Sequence, residues 1–159
     1  MYSTDGIVLK KTGADEANEF CVIYTKDFGK LKFLAQGVKK ESAKLKGHLE
    51  LYSLSQISFV LGKNGGRLIQ ARMLNFWPGL RQDLVKIKAA RYLIELVEQN
   101  CLEGEKDEPL WRFFLDSLAF LEKKYFDKAE LEKFRSELAG RLSVCLGYGG
   151  SIETLKKVR

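Results

Sequence analysis

The sequence predicts an α+β protein, in which a five-stranded β-barrel of the OB type is followed by a small α-helical domain. Two observations lead to this prediction. The first part of the chain holds five short apolar or alternating segments, separated by turns, within about 75 residues. After Trp77-Pro78-Gly79, apolar residues recur at helical spacing instead. We therefore expect a barrel domain over residues 1–78 and a helical domain over residues 79–159.

The first two strands are predicted over residues 5–11 and 20–24. The first contains a short apolar run and ends in the polar stretch 12–18. The second is almost continuously apolar, as expected of a strand that is covered on both faces. A tight turn over residues 26–30, in which Gly29 can take a positive φ, leads into the third strand.

The third strand is predicted to be amphipathic. Leu31, Phe33 and Ala35 alternate with more polar positions that include Lys30 and Lys32. In an extended strand this pattern sends one set of side chains into the barrel and presents lysines on the other face.

The fourth and fifth strands are predicted over residues 48–61 and 67–74. The fourth is long, and three serines interrupt its alternation, which favours a bulge or bend near them. A glycine-rich hairpin at residues 62–66 connects the two strands. Together the five strands suit a partly open barrel.

Three main helices are expected after the barrel. The first has an apolar stripe over residues 80–101, with Gly104 as a stop signal. Pro109 opens the second, and the third runs from about residue 128 to Cys145, before the glycine-rich segment 147–150. Their apolar faces need partners, so we expect the helices to bundle.

Charge is distributed unevenly along the chain. The formal net charge is +6, and residues 1–79 carry twelve Lys and Arg against seven Asp and Glu. Residues 80–159 carry fifteen against fourteen. The basic excess therefore lies in the strand-rich half, where it would steer an anionic partner. A solubilising surface is the alternative interpretation.

The three cysteines, Cys21, Cys101 and Cys145, are far apart and embedded in apolar sequence. This usage is typical of buried thiols in a reducing compartment. The first residues show no signal-peptide pattern, and no apolar stretch has the roughly 20 residues that a membrane-spanning helix requires. We expect a cytoplasmic protein with no membrane association.

Catalytic chemistry is poorly represented in the sequence. His48 is the single histidine, and no Cys-x-x-Cys pair gives metal-ligand spacing. The glycine-rich hairpin lacks the Gly-Lys-Ser/Thr ending of a phosphate-binding loop and joins two strands. Solvated ion pairs on helix faces account for the clustered glutamates. We expect neither an enzyme nor a cofactor.

Binding of a polyanion has more support, because lysines and arginines cluster around the third strand. Lysines neutralise phosphates without reading sequence, and an exposed aromatic ring could stack a base. For Phe28 and Phe33 a place in the core is favoured over stacking. The candidate nucleic-acid-binding residues are Lys30, Lys32, Lys39, Lys40, Lys44, Lys46, Arg67 and Arg72.

Several segments resemble, in order and spacing, the bacterial RecO recombination mediator family. They are Asp-Gly-Ile-Val-Leu-Lys at 5–10, the turn and strand at 24–32, Gly-Val-Lys-Lys at 37–40, residues 45–53, Trp-Pro-Gly-Leu-Arg at 77–81 and residues 141–148. No one of these motifs is strong, but their order and spacing over almost the whole chain are fairly specific.

The resemblance implies an OB-fold, a helical domain and a role in recombinational repair. Expected activities are binding of single- and double-stranded DNA, annealing of complementary strands, and help in loading the recombinase onto strands coated by single-stranded DNA-binding protein (SSB). Expected partners are RecR and the acidic carboxy-terminal tail of SSB. The candidate residues for partner binding are Arg81, Arg91, Arg135 and Arg141, for which simple surface solvation is the alternative.

The chain departs from the family pattern in two respects. Many members carry a four-cysteine zinc module after the Gly-Tyr segment, whereas this sequence has only Cys145 nearby, so we expect no such metal site. It is also shorter than most members, which puts RecR binding and full mediator activity in question. The competing hypotheses are a protein-interaction adaptor whose helices bind an acidic partner, with the barrel as scaffold, and an RNA-binding protein.

Overall fold

The computed structural model describes residues 1–39, 44–123 and 125–147 of the chain. In these residues five strands precede four helices. The strands are β1 (Tyr2–Gly13), β2 (Glu19–Thr25), β3 (Gly29–Ala35), β4 (Leu54–Gly62) and β5 (Gly65–Asn75). The helices are α1 (Pro78–Arg81), α2 (Leu84–Asn100), α3 (Glu108–Lys123) and α4 (Lys128–Cys145).

The chain forms two compact units. The first combines Met1–Phe76 with the short segment Leu102–Lys106, and the second combines Trp77–Cys101 with Asp107–Arg159. The segment between α2 and α3 thus belongs with the strands, although the helices on both sides of it belong to the other unit.

The strands of the first unit close into a barrel in the order β1-β2-β3-β5-β4. All neighbours are antiparallel except β3 and β5, which pair in parallel over only two positions. β1 pairs with two neighbours and so closes the barrel. Its residues Tyr2–Ile7 pair with β4, and Gly6–Gly13 pair with β2. A register shift between Val8 and Lys10 bends β1. The predicted OB-type barrel with a following helical part is confirmed, but the barrel is closed, whereas the sequence predicted a partly open one.

Aromatic and branched side chains fill the barrel. Phe33, Phe59, Ile23 and Ile57 are fully buried, and the rings of Phe33 and Phe59 lie 4.8 Å apart in an edge arrangement. Burying a side chain of this size contributes about 1.5–3 kcal/mol. The core interpretation of Phe33 is confirmed, and Phe28 is partly buried against the same cluster.

The fourth strand begins later than the sequence pattern predicts. The prediction of a strand from residue 48 was wrong, because β4 starts at Leu54 and residues 48–53 mostly form turns. Ser53 and Ser55 donate their hydroxyls to the carbonyls of Glu50 and His48, at 2.7 Å each. Such local bonds compete with a strand ladder. The predicted irregularity near the serines is confirmed by register shifts at Ser55 and Ser58.

The segment Leu102–Lys106 lies against the start of β3. The Gly104 amide donates to the Lys30 carbonyl at 2.9 Å, and Lys30 and Glu103 form a parallel bridge. Gly29 has a φ of +68°, and a Cβ built there would lie only 2.1 Å from the Glu105 carbonyl oxygen. The close backbone approach therefore requires glycine at this position.

The predicted first helix is interrupted near its start. Asp83 caps α2 by accepting a hydrogen bond from the Val85 amide at 2.8 Å, so α1 ends at Arg81 and a new helix begins at Leu84. The other end also differs, because α2 ends at Asn100, before the predicted stop at Gly104.

The helical unit has its own core. It includes Leu93 and Ile94 of α2, Phe114 of α3, and Leu138 of α4. Lys86 is buried and its ammonium donates to the Glu122 carbonyl in the last turn of α3, at 2.9 Å. A cation at a helix carboxyl end is favourable, because the unpaired carbonyls there are partly negative.

Two further expectations concern the state of the three thiols and the absence of a membrane-spanning helix. Cys21, Cys101 and Cys145 are all free thiols; the first two are buried and the third is partly exposed. Across the described parts of the chain, no helix combines the length and the apolarity needed to cross a membrane.

Candidate nucleic-acid interface

The outward face of β2, β3 and β5 combines aromatic, aliphatic and cationic side chains. Strand alternation buries Cys21 and Phe33 and turns Phe20, Lys32 and Leu34 outward. The register then sets Phe20 opposite Leu34 and Val22 opposite Lys32. On the other side of β3, Leu34 pairs with Arg67. Residues distant in sequence therefore form one continuous surface.

This surface and the β4–β5 hairpin form a groove of about 700 Å³. The hairpin contributes Lys63 and Asn64. At Gly66 an added Cβ would lie 2.5 Å from the Phe33 ring, so only glycine lets β5 approach β3 this closely. The groove is lined by Phe20, Lys32, Leu34, residues 62–66, Arg67 and Glu103.

Positive charge dominates the groove. Its lining contains the three cations Lys32, Lys63 and Arg67 and one carboxylate, Glu103. The Lys32 ammonium lies 4.4 Å from the centroid of the Phe20 ring, within cation–π distance. Arg67 makes one long hydrogen bond, from Nη1 to the Gln36 side chain at 3.4 Å. The groove thus combines three cations with an aromatic ring.

Among the candidate residues predicted from sequence, the structure brings Lys32 and Arg67 together in the groove. Lys30 lies on the same strand but outside the groove lining, and its main chain bridges to Glu103. Arg72 lies farther along β5, where its guanidinium donates to the Gln56 side chain at 3.1 Å.

The start of the lysine-rich connector between β3 and β4 is fixed to the β1–β2 loop. The Lys39 ammonium donates to the Asp15 carbonyl at 2.6 Å, and its amide donates to the Ala17 carbonyl at 3.2 Å. The Gly37 amide donates to the Asn18 side chain at 2.7 Å. Hydrogen bonds from the Ala17 amide and the Asn18 side chain lower the pKa of the Asp15 carboxyl, which keeps this turn charged. Lys39 therefore has a structural contact in addition to any role in binding.

The remaining candidate lysines of the connector are Lys40, Lys44 and Lys46. Lys44 and Lys46 are exposed, and Lys40 lies outside the described residues. Their assignment as nucleic-acid ligands stays a prediction.

Phe20 and Lys63 are among the groove residues that sequence reasoning missed. Phe20 was read as part of a strand covered on both faces, and Lys63 as part of a connecting turn. The alternation of side chains along a strand could have identified Phe20 as outward-facing, because its neighbour Cys21 faces the core. For Lys63 the relevant rule is that OB-fold ligands often contact the loop between the fourth and fifth strands.

The helical unit holds a second cavity, of about 270 Å³, between α3 and α4. Phe120 is 48% exposed and its ring stacks on that of Phe134, with centroids 5.9 Å apart. Asp116, Glu137 and Arg141 are the charged residues of the lining, and Ser117 and Leu138 complete it. The lining therefore combines aromatic and apolar residues with charges of both signs.

The four predicted partner arginines do not converge. Arg141 lines the α3–α4 cavity and lies 5.3 Å from the Phe113 ring. Arg135 lies 5.1 Å from the Tyr92 ring, and Arg91 pairs with Glu95 at 2.8 Å on the same helix. Arg81 lies in the last turn of α1. Of the four, only Arg141 reaches this cavity.

The first unit matches a known protein family. Residues 1–77 match the family model described as Recombination protein O N terminal. Over its barrel unit the chain therefore matches the RecO family. This agrees with the resemblance noted from the sequence motifs.

Curated RecO relatives extend the match beyond the barrel. A DNA repair protein RecO from Synechocystis is 32% identical over 149 residues, which cover 94% of this chain and 54% of the relative. One from Gloeothece citriformis is 33% identical over 123 residues, which cover 77% of this chain and 44% of the relative. One from Pelotomaculum thermopropionicum is 31% identical over 121 residues, covering 76% and 47%. The chain thus spans about half the length of these RecO relatives.

Proposed function

We propose that this chain is a DNA-binding protein of recombinational repair that holds single strands in the groove of its barrel. The observation that carries the proposal is the arrangement of Phe20, Lys32 and Arg67 on one outward face, with Lys63 above it on the hairpin. Cations neutralise phosphates, and each base has a face that an aromatic ring can stack on. We assign DNA binding to residues 1–78 and partner binding to residues 79–159.

Single-stranded DNA suits this groove because its bases are free to stack. A stacked base contributes about 1–3 kcal/mol in single-strand-binding proteins, and the contact tolerates any base. Phosphate contacts from lysine and arginine fix position without reading sequence. Double-stranded DNA can still bind through its phosphates, with weaker affinity, because its bases are already paired.

Annealing follows from charge neutralisation. Two complementary strands repel each other, and cations in the groove and on the connector, including Lys44 and Lys46, lower that repulsion so that pairing can begin. In the proposed role the protein then helps to load the recombinase onto SSB-coated strands, together with RecR.

We propose a binding role rather than an enzymatic one. His48, the single histidine, is engaged structurally, since its Nδ1 accepts a hydrogen bond from the Met73 amide at 3.3 Å. Cys21 is buried in the barrel core, and burial raises the pKa of its thiol to about 11, which disfavours the nucleophilic thiolate. Within the described ranges, no group of three or more His, Cys, Asp or Glu side chains could hold a metal ion.

The test is fluorescence anisotropy of a labelled single-stranded oligonucleotide at several salt concentrations. We expect Lys32→Glu combined with Arg67→Glu to weaken binding on unrelated sequences and to reduce the slope of log K against log salt by about 1.4, or about 0.7 per lost phosphate contact. A matched control, Lys88→Glu with Lys133→Glu, makes the same charge change on exposed positions of the helical unit.

Two results would contradict the proposal. Equal weakening by both double variants would mean that only net charge matters and that the groove is not the site. Tighter binding of an RNA oligonucleotide than of DNA with the same sequence would favour the RNA alternative.

The α3–α4 cavity favours a second candidate function, capture of the acidic SSB tail. Phe120 and Phe134 offer an apolar surface for an aromatic or aliphatic anchor, and Arg141 offers a cation for a carboxylate. Because Asp116 and Glu137 also line the cavity, the tail carboxylates would have to lie on the Arg141 side. Binding of a labelled acidic tail peptide that is lost in Arg141→Glu, but kept in Arg112→Glu on the same unit, would support this candidate.

A further inference from the structure

One carboxylate lines a groove that otherwise carries cations. Glu103 comes from the segment Leu102–Lys106, and this segment packs on the barrel through backbone contacts with Gly29 and Lys30. Because Gly29 leaves room for the backbone of Glu105, the barrel is shaped to receive this segment. Glu103 is therefore held beside the groove by defined contacts rather than by chance.

The segment is tied at several points. The Gly104 amide donates to the Lys30 carbonyl at 2.9 Å, and the Lys106 ammonium lies 3.8 Å from the Asp27 carboxylate. These contacts lie on both sides of Glu105 along the segment, and the Lys30–Glu103 bridge fixes its amino-terminal part. The position of the Glu103 carboxylate thus depends on the barrel to which it is bound.

On this basis we propose that Glu103 limits the affinity of the groove for nucleic acid. Its negative charge repels a phosphate that approaches Lys32, Lys63 or Arg67. The effect is strongest for phosphates within a Debye length, about 8 Å at physiological salt. This inference rests on the proposed DNA site and specifies how that site is regulated.

Limited affinity has a purpose in annealing. A protein that brings two strands together has to release the duplex, and a groove with cations alone would retain it. Glu103 lowers the number of counterions that binding displaces, and so favours release. Removing its charge is expected to slow turnover even though it tightens binding.

The test compares Glu103→Gln with Glu105→Gln in the full chain. Both variants remove one negative charge from exposed positions of the same segment, but only Glu103 lines the groove. Binding of a labelled oligothymidylate is measured by fluorescence anisotropy at low and at physiological salt, and urea midpoints verify that both variants fold.

We expect Glu103→Gln to lower the Kd by about threefold to tenfold at low salt, with a smaller effect as salt screens the charge. Glu105→Gln is expected to change it by less than about twofold. Equal effects of the two variants, while the unmodified chain binds DNA, would overturn the inference and leave the proposed DNA site intact. No binding by the unmodified chain at low salt would overturn both, because such a groove has no affinity to limit.

Discussion

Replacing Gly29 by alanine tests whether the barrel is built to hold the segment Leu102–Lys106. Gly29 has a φ of +68°, and an added Cβ would meet the Glu105 backbone at 2.1 Å. Gly47 has a similar φ of +79° but nothing within 4 Å of its added Cβ. Gly47→Ala is therefore a matched control that has the same backbone strain without the collision.

The expected magnitudes follow from these contacts. Both variants lose about 1–2 kcal/mol of stability, because alanine disfavours the left-handed region. Gly29→Ala also has to displace the segment, which breaks the hydrogen bond from Gly104 to Lys30, a loss of about 0.5–1.5 kcal/mol. The exposed pair of Lys106 and Asp27 adds about 0–1 kcal/mol. We expect Gly29→Ala to be about 1–2 kcal/mol less stable than Gly47→Ala.

Two assays check this prediction. Urea unfolding gives the difference in the free energy of unfolding. Limited digestion with a glutamate-specific protease reports on the segment directly, since it contains Glu103 and Glu105. Faster cleavage there is expected in Gly29→Ala alone. Equal stability and equal cleavage of the two variants would refute the argument that the segment depends on Gly29.

Three further predictions concern stability. The buried Cys21 thiol has its pKa raised from 9.0 to about 11, so the unfolded chain loses this proton first and the free energy of unfolding falls as pH rises through this range. This fall in the free energy of unfolding is at most about 3 kcal/mol. In Cys21→Ala, a pH series of urea titrations should show no such fall. Lys86→Met removes the cation at the end of α3, and we expect the free energy of unfolding to fall by about 1–3 kcal/mol in the same assay. The control Lys88→Met changes an exposed lysine and should leave it unchanged. Asp127→Ala removes a capping box with Glu130, and should lower the thermal midpoint through a loss of about 1 kcal/mol; an unchanged midpoint would contradict it.

Much of the barrel could be predicted from the sequence because its strands alternate. Phe33 was placed in the core by parity, and Lys32 on the outer face by the same rule. The start of β4 could not be predicted in this way. Ser53 and Ser55 bond to carbonyls a few residues back, and an alternating pattern does not reveal such local competition.

The candidate site was harder to predict than the fold. Lys32 and Arg67 were both named from sequence, but their convergence depends on the short parallel pairing of β3 with β5. Lys39 was named as a phosphate ligand because of its charge. Its ammonium also donates to the Asp15 carbonyl of the β1–β2 loop at 2.6 Å, a contact that charge alone does not reveal. Glu103 lies some 70 residues beyond Lys32 in sequence, and only the packing of its segment brings it to the groove.

The discontinuous make-up of the first unit affects how the protein can be dissected. The chain passes between the two units after Phe76, after Cys101 and after Lys106. A fragment that stops at Phe76 would contain every strand, yet it would leave the β2–β3 turn uncovered and the groove with cations alone. On the proposed DNA site, its DNA affinity is expected to exceed that of the full chain. Measurements on the isolated barrel would therefore overestimate the DNA affinity of the full chain.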